Sequence, residues 1–211
     1  MTTANNVLNP EVMNSIVARY PRKRSAIMPL LHYVQSVAGY ITNEGIETIS
    51  KVLEIETAEV SAVATFYTQY KRKPVGEYHV GVCTNTLCAV MGGDAIFAGL
   101  KDHLGVGNDE VTSDGKISVE HIECNAACDY APVVMVNWEF FDNQTVESAK
   151  TLVDDLRSGK NPAPTRGPNK VSTFKETSEL LAGFNDGHAE EGVQAGPATL
   201  LGLNKAKEMG A

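Results

Sequence analysis

The sequence contains no Cys-x-x-Cys pair. Only four of its 211 residues are cysteine. The two-residue spacing that dithiol oxidoreductases carry at a helix N-terminus, and that zinc knuckles favour, is missing. A complete Gly-x-Gly-x-x-Gly is missing too. Gly105-Val-Gly107 is a fragment without the third glycine, and no Walker-type loop occurs; the chain carries no dinucleotide fingerprint of its own. No run approaches the roughly 20 apolar residues of a membrane span. The uncharged stretch 25–43 holds His32, Gln35, Ser36 and two tyrosines, so it reads as a buried helix. Positive charge is short: 18 Lys and Arg stand against 26 Asp and Glu, a net of -8 with pI about 5.1. That balance argues against nucleic acid or an anionic membrane surface as a partner. The first ten residues show neither a basic-then-apolar secretory pattern nor an Arg-rich amphipathic one. The expectation is a cytosolic chain, where structural disulfides are uncommon. Four cysteines therefore need an explanation other than stapling.

The charge is uneven. Residues 1–75 carry a net of +2, residues 76–158 a net of -10, and residues 159–211 a net of 0. All four cysteines lie in the acidic segment. The first segment shows helical spacing at Val12, Met13, Ile16, Val17 and Tyr20, then at Ile27, Leu30, Leu31, Val34 and Val37, with Pro29 tolerable only in a first turn. Ile46, Ile49, Val52 and Leu53 form a third stripe, with Thr42 or Asn43 as N-cap. Val60, Val63, Ala64 and Tyr67 form a fourth, with Thr57 ahead of it. This predicts a small helical bundle over 1–75. From about residue 76 the period changes. A strand over 77–83, a helix over 87–104, a hairpin turn at Asp114-Gly115, strands at 133–137 and 139–141, and a helix over 147–156 predict an α/β domain of thioredoxin type over 76–158. The fold class is thus α+β. Residues 159–211 hold 8 of the 18 glycines and 4 of the 9 prolines. They read as a Gly/Pro-rich extension, a linker or tail with room for short helices at 171–181 and 199–209.

The cysteines read Cys83-x4-Cys88 and Cys124-x3-Cys128. Each pair follows a predicted strand, so four thiolates from two loops meet at one end of a sheet. That is how proteins hold an iron–sulfur cluster or a structural zinc. A [2Fe–2S] rhombus is longer than one zinc ion and suits the wider loops, and the spacing favours it. Zinc remains open. A Rieske centre needs two histidines near the pairs, whereas His79 and His121 lie on strands. Thr84, Asn85 and Thr86 precede a helix whose first turn takes Cys88, and N-terminal N–H groups there favour an anionic centre. Asn125, Ala126 and Ala127 are small enough for backbone N–H groups to approach sulfur. The net of -10 around the site opposes adding an electron, so a low potential is expected.

Around these cysteines the resemblance becomes specific. The text Val63-Ala-Thr-Phe-Tyr67, Pro74-Val-Gly76, Thr112-Ser-Asp-Gly115 and Cys124-Asn-Ala-Ala-Cys128-Asp-Tyr-Ala-Pro132-Val-Val-Met-Val-Asn137 resembles the 24 kDa-type [2Fe–2S] subunits of NADH:quinone oxidoreductase (respiratory complex I), the thioredoxin-like ferredoxin family. The resemblance covers roughly residues 10–158. It departs at Ala126, where the family usually has glycine. It implies one [2Fe–2S] cluster on Cys83, Cys88, Cys124 and Cys128 and a flavoprotein partner that holds FMN and binds NADH. It implies other peripheral-arm subunits as neighbours, and a cytoplasmic place at the inner face of the membrane without insertion. The isolated chain would be an electron carrier with no hydride chemistry. A soluble NAD-linked hydrogenase or formate dehydrogenase is the alternative machine, and a zinc-stabilised interaction module the alternative class. Arg22-Lys-Arg24 and Lys71-Arg-Lys73 read as solvated helix ends, with docking to an acidic partner as the other reading. Phe66 and Tyr67 read as core, Trp138 as edge packing, and Asp129 and Tyr130 as neighbours that tune the site.

Overall fold

The computed structural model describes residues 8–192 and 196–210. The N-terminal residues 1–7, part of the segment read above for a targeting signal, lie outside them. The chain forms two compact units. One comprises residues 1–77 with 172–186, the other residues 78–171 with 187–211.

The first unit is helical. Its helices are α1 (Pro10–Val17), α2 (Ile27–Ala38), α3 (Asn43–Leu53) and α4 (Thr57–Phe66). Asn9 caps α1, accepting from Glu11 N–H at 2.8 Å, with Pro10 in the first turn, where its missing N–H costs nothing. The uncharged stretch becomes α2, with Leu30, Leu31 and Val34 buried and Gly39 closing it at φ +84. Pro29 falls in its first turn, as the sequence requires. Thr42 caps α3 through the Gly45 N–H at 2.9 Å. Gly45 lets α3 approach α2, because a Cβ there would lie 2.5 Å from Val34 Cγ1. The cap of α4 is Glu56, not Thr57, in a reciprocal box with Glu59.

The second unit is a five-stranded sheet in the order β2-β3-β1-β4-β5. The strands are β1 (Tyr78–Cys83), β2 (Glu110–Val111), β3 (Ile117–Ile122), β4 (Val134–Val136) and β5 (Glu139–Phe141). Strand β1 runs parallel to β3 and antiparallel to β4. Strands β2–β3 and β4–β5 pair antiparallel. The Asp114-Gly115 turn forms as predicted, with Gly115 at φ +73. Tyr78, Val80 and Val82 enter the core shared with Ile96, Leu100, Val153 and Leu156, residues of α6 (Gly93–Leu104) and α7 (Val146–Arg157). Period-two alternation turns Cys83 away from that core, into a separate cluster with Cys88, Ile122, Val133 and Met135.

The predicted helix 87–104 is two helices, α5 (Thr86–Val90) and α6. The break lies at Gly92, with φ +109, a conformation glycine adopts without penalty. Gly93 is needed too: a Cβ there would lie 2.5 Å from the Cys83 carbonyl oxygen. The sequence held the signal, two adjacent glycines, but the helical period ran through them.

The extension is not a separate tail. Val171 and Phe174 are each 2% exposed, and burying such side chains stabilises by about 1.5–3 kcal/mol each. Helix α8 (Phe174–Leu181) opens with a Thr173–Glu176 capping box and belongs to the helical unit. Gln35 on α2 joins it there. Its amide donates to Ser178 Oγ at 3.2 Å and to the Gln69 carbonyl at 3.1 Å, and accepts from Lys71 N–H at 2.8 Å. Helix α9 (Pro197–Glu208) belongs to the sheet unit. Short helices stand near both places the sequence allowed, α8 within 171–181 and α9 near 199–209; what composition did not show is that buried Val171, Phe174 and Ala182 anchor the extension. Among the described residues, no helix is long and apolar enough to cross a membrane.

Candidate metal centre

Cys83 ends β1 in register with Ile122, the last residue of the parallel strand β3. Parallel neighbours end on the same side of a sheet, so the loops that follow leave together. One carries Cys88, the third residue of α5; the other carries Cys124 and Cys128. Asn85 ties the loops, its amide donating to the Ile122 carbonyl at 3.2 Å. All four cysteines are free; Cys83 and Cys88 are buried, whereas Cys124 and Cys128 are exposed.

The sulfurs influence one another. Burial pushes the Cys83 thiol up to about 11, and Cys88 and Cys124 add to the rise while the Asn85 N–H opposes it. The Cys128 thiol is raised first by its hydrogen bond with Cys124, then by the charges of Cys124, Cys83 and Asp129. Cys124 Sγ and Cys128 Sγ lie 3.5 Å apart. Thiols that raise one another's pKa resist ionising together, and a bound cation relieves that repulsion as protons leave. A soft all-sulfur donor set fits iron or zinc. Among the described residues no three His, Cys, Asp or Glu side chains gather for a single ion. The cysteines fall into a buried pair and an exposed pair.

The second loop is strained where the sequence departs from the family pattern. Ala126 sits at φ +56, a left-handed conformation costly for a residue with a Cβ. Its N–H points at Cys124 Sγ, 3.4 Å away. The short connection from β4 to β5 also holds Asn137 at φ +48 and Trp138 at φ +73. Asn137 locks that turn to β1, accepting from His79 N–H at 2.8 Å and donating its own N–H to the His79 carbonyl at 2.9 Å. Trp138 packs against the apolar cluster that contains Cys83 and Cys88, its ring 5.4 Å from His79.

Other sequence readings come out differently. Phe66 is 78% and Tyr67 43% exposed, so neither is core; helix α4 ends at Phe66 and presents it outward. Lys23 pairs with Glu54 at 2.5 Å and Arg24 pairs with Glu59, while Lys71 is buried. The basic clusters are thus partly engaged inside the helical unit. Gly93 and Arg166, whose guanidinium lies 5.1 Å from the Tyr130 ring centre, escaped the sequence reading because their partners are distant in sequence; Asn85 was singled out there, but not its bond across to the Ile122 carbonyl.

A sheet with helices packed on one face and four free thiols at the common exit of two parallel strands defines a thioredoxin-like fold with a clustered-thiol site. The profile of the thioredoxin-like [2Fe–2S] ferredoxin family matches residues 13–157, and the chain belongs to that family. A subunit of the NADH-quinone oxidoreductase of Mycobacterium tuberculosis is 62% identical over 195 residues, 92% of this chain and 77% of that protein. Its namesake in the Rickettsia bellii enzyme is 40% identical over 71% of this chain and 92% of that protein. Subunit 2 of the Thermus thermophilus enzyme is 37% identical over 76% of this chain and 90% of that protein. An NAD+-reducing [NiFe]-hydrogenase in its H2-reduced state matches in structure with TM-score 0.57 at 17% identity, over 65% of this chain and 23% of that chain; this likeness shows the fold alone.

Proposed function

We propose that this chain is the electron-transfer subunit of an NADH-oxidising flavoprotein complex, the NADH dehydrogenase module of a respiratory NADH:quinone oxidoreductase. In this reading Cys83, Cys88, Cys124 and Cys128 hold one [2Fe–2S] cluster. FMN and NADH lie on a partner flavoprotein subunit, and the complex holds the chain at the cytoplasmic face of the membrane without insertion. The observation that carries it is the register of Cys83 with Ile122 on parallel β1 and β3, from which both cysteine loops leave together. The names of the 62%, 40% and 37% identical relatives support the choice of machine.

When bound, the cluster supplies one-electron chemistry. The chain's own residues do the rest. Cys83 and Cys88 form a buried floor that excludes water from one side. Cys124 and Cys128 keep the other side at the surface, where a partner's redox group can approach. The Ala126 N–H, directed at Cys124 sulfur, stabilises its thiolate. Electron paramagnetic resonance of the dithionite-reduced chain, with iron and acid-labile sulfide counts, tests the reading. About two irons and two sulfides per chain with a rhombic signal are expected. One zinc per chain, without iron or visible absorption, would replace the cluster with a structural metal. The parent machine is tested by co-purification: quinone-reductase subunits support it, and a hydrogenase or formate dehydrogenase subunit replaces it.

A further inference from the structure

Residues 161–171 run beside the open edge of β5. Thr165 N–H donates to the Phe140 carbonyl at 2.8 Å, and Arg166 forms an antiparallel bridge with Phe140. This pairs backbone groups that an edge strand otherwise leaves free. Asn161 closes the segment on itself, accepting from Val171 N–H at 2.8 Å and donating to its carbonyl at 3.0 Å. The Arg166 guanidinium grips the Asp142 carboxylate through two hydrogen bonds of 2.9 Å each. The two side chains are only 19% and 5% exposed. The same guanidinium lies 4.1 Å over the Phe140 ring and 5.1 Å over the Tyr130 ring.

Tyr130 ends the short 3-10 turn that Cys128 begins. Later residues of the extension return to it. A Cβ at Gly196 would lie 2.1 Å from the Tyr130 hydroxyl oxygen and 2.7 Å from Cζ, so backbone and ring are in direct contact. Gly192 approaches the Gly167 carbonyl in the same way, with 2.1 Å to a built Cβ. The extension therefore holds one aromatic ring from two places, by a fixed cation and by a close backbone approach.

We propose that the extension is an intramolecular clamp on the second cysteine loop, with Arg166 and Gly196 as positioning residues that hold Tyr130 and, through it, Cys128. The inference rests on the cluster reading above. Its physical need is plain: that loop is exposed and carries Ala126 in a left-handed conformation. A ligand on such a loop surrenders its metal more readily unless a neighbouring contact holds it.

The test uses the full chain with its cluster reconstituted. Bleaching of the visible absorption by an iron chelator is timed for the wild type, Gly196→Val, Arg166→Lys and Tyr130→Ala, and for each of the first two combined with Tyr130→Ala. Thermal unfolding by circular dichroism is recorded beside it. The clamp predicts bleaching about ten-fold faster or more in each single variant, beyond what any fall in its melting midpoint accounts for. It also predicts that Gly196→Val and Arg166→Lys add nothing once Tyr130 is Ala, since all act through one ring. Arg166→Lys keeps the charge opposite Asp142, so it carries the test if Gly196→Val fails to fold. Bleaching within two-fold of wild type, additive effects, or bleaching that merely follows the melting midpoint overturns the clamp and leaves the cluster reading intact. A wild-type chain that takes up no iron or sulfide overturns both.

Discussion

Asn85 and Ile122 join the two cysteine loops at their roots, the Asn85 amide donating to the Ile122 carbonyl at 3.2 Å. Cys83 stands in register with that same Ile122, and Cys124 follows it by two residues. A change at either loop should be felt at the other.

Cys124→Ser is the direct probe of this arrangement. Cys124 is exposed and interacts with Cys128 at 3.5 Å and with the Ala126 N–H at 3.4 Å. A hydroxyl is a harder, more weakly acidic ligand than a thiol. The variant should fold, lose most visible absorption and lose the reduced-state resonance signal. Survival of both signals at wild-type intensity would show that Cys124 is not a ligand.

Ala126→Gly tests the strain in the same loop. At φ +56 an alanine Cβ costs on the order of 1 kcal/mol, while glycine adopts that region freely but loses more entropy on folding. The balance predicts a melt of the reconstituted chain unchanged or raised by up to about 1 kcal/mol, with the cluster retained. A drop of more than 1 kcal/mol would mean that the Ala126 methyl makes a packing contact that outweighs its strain.

The fold was legible in the sequence wherever the period of apolar residues matched an element. The α2 stripe, the alternation of β1 and the Asp114-Gly115 turn all carry their signal within a few residues. The cysteine pairs were legible because each stands at or just after a run of β-formers; that β1 and β3 lie side by side and in parallel, with Cys83 against Ile122, is a tertiary fact no local pattern carries. What escaped depends on distant partners. Phe66 has the composition of a core residue, but α4 ends there and leaves it facing solvent. The break between α5 and α6 falls at Gly92, whose φ of +109 ends the helical path; the two adjacent glycines signalled it, but the helical period of the apolar residues ran through them. In the extension the two short helices were legible, but its glycines and prolines hid the buried anchors Val171, Phe174 and Ala182, whose packing partners lie far away in the sequence.

His32 makes the helical unit sensitive to acid. It is buried on α2 with its ring 4.7 Å from that of Tyr70, and among the described residues its Nδ1 has no hydrogen-bond partner. Burial lowers its pKa from 6.5 to about 4. The folded state therefore resists the proton that the unfolded state accepts. Its contribution is complete above pH 6.5 and is lost as pH falls from 6.5 toward 4, by about 2 kcal/mol at pH 5. His32→Phe should remove that share of the decline in urea unfolding followed between pH 7 and pH 5. Parallel curves for variant and wild type would show that His32 is not the responsible group.

Gln35 is the polar joint between α2, the 69–71 segment and α8. Replacing it with leucine keeps the volume but leaves the buried Lys71 N–H without the acceptor it now has at 2.8 Å. An unsatisfied buried donor costs about 1–3 kcal/mol, and the bond to Ser178 is lost with it. Gln35→Leu should lower stability by about 2–4 kcal/mol and expose residues 172–186 to limited proteolysis before the rest of the chain. Cleavage elsewhere first, at unchanged stability, would show that α8 is held by apolar contact alone.

Asp129 offers the most local handle on the potential. It adjoins Cys128, and its negative charge is among the causes that raise that thiol's pKa. The same charge opposes an added electron on a centre held there. Asp129→Asn should raise the midpoint of the reconstituted chain, on the order of tens of millivolts at low salt. Because Asp129 is exposed, the difference should shrink in 1 M salt, where screening acts within a few ångströms. An unchanged midpoint at low salt would mean that the acidity of residues 76–158 acts through other carboxylates. A lowered one would contradict the electrostatic argument itself, since removing an anion cannot make reduction harder by charge alone.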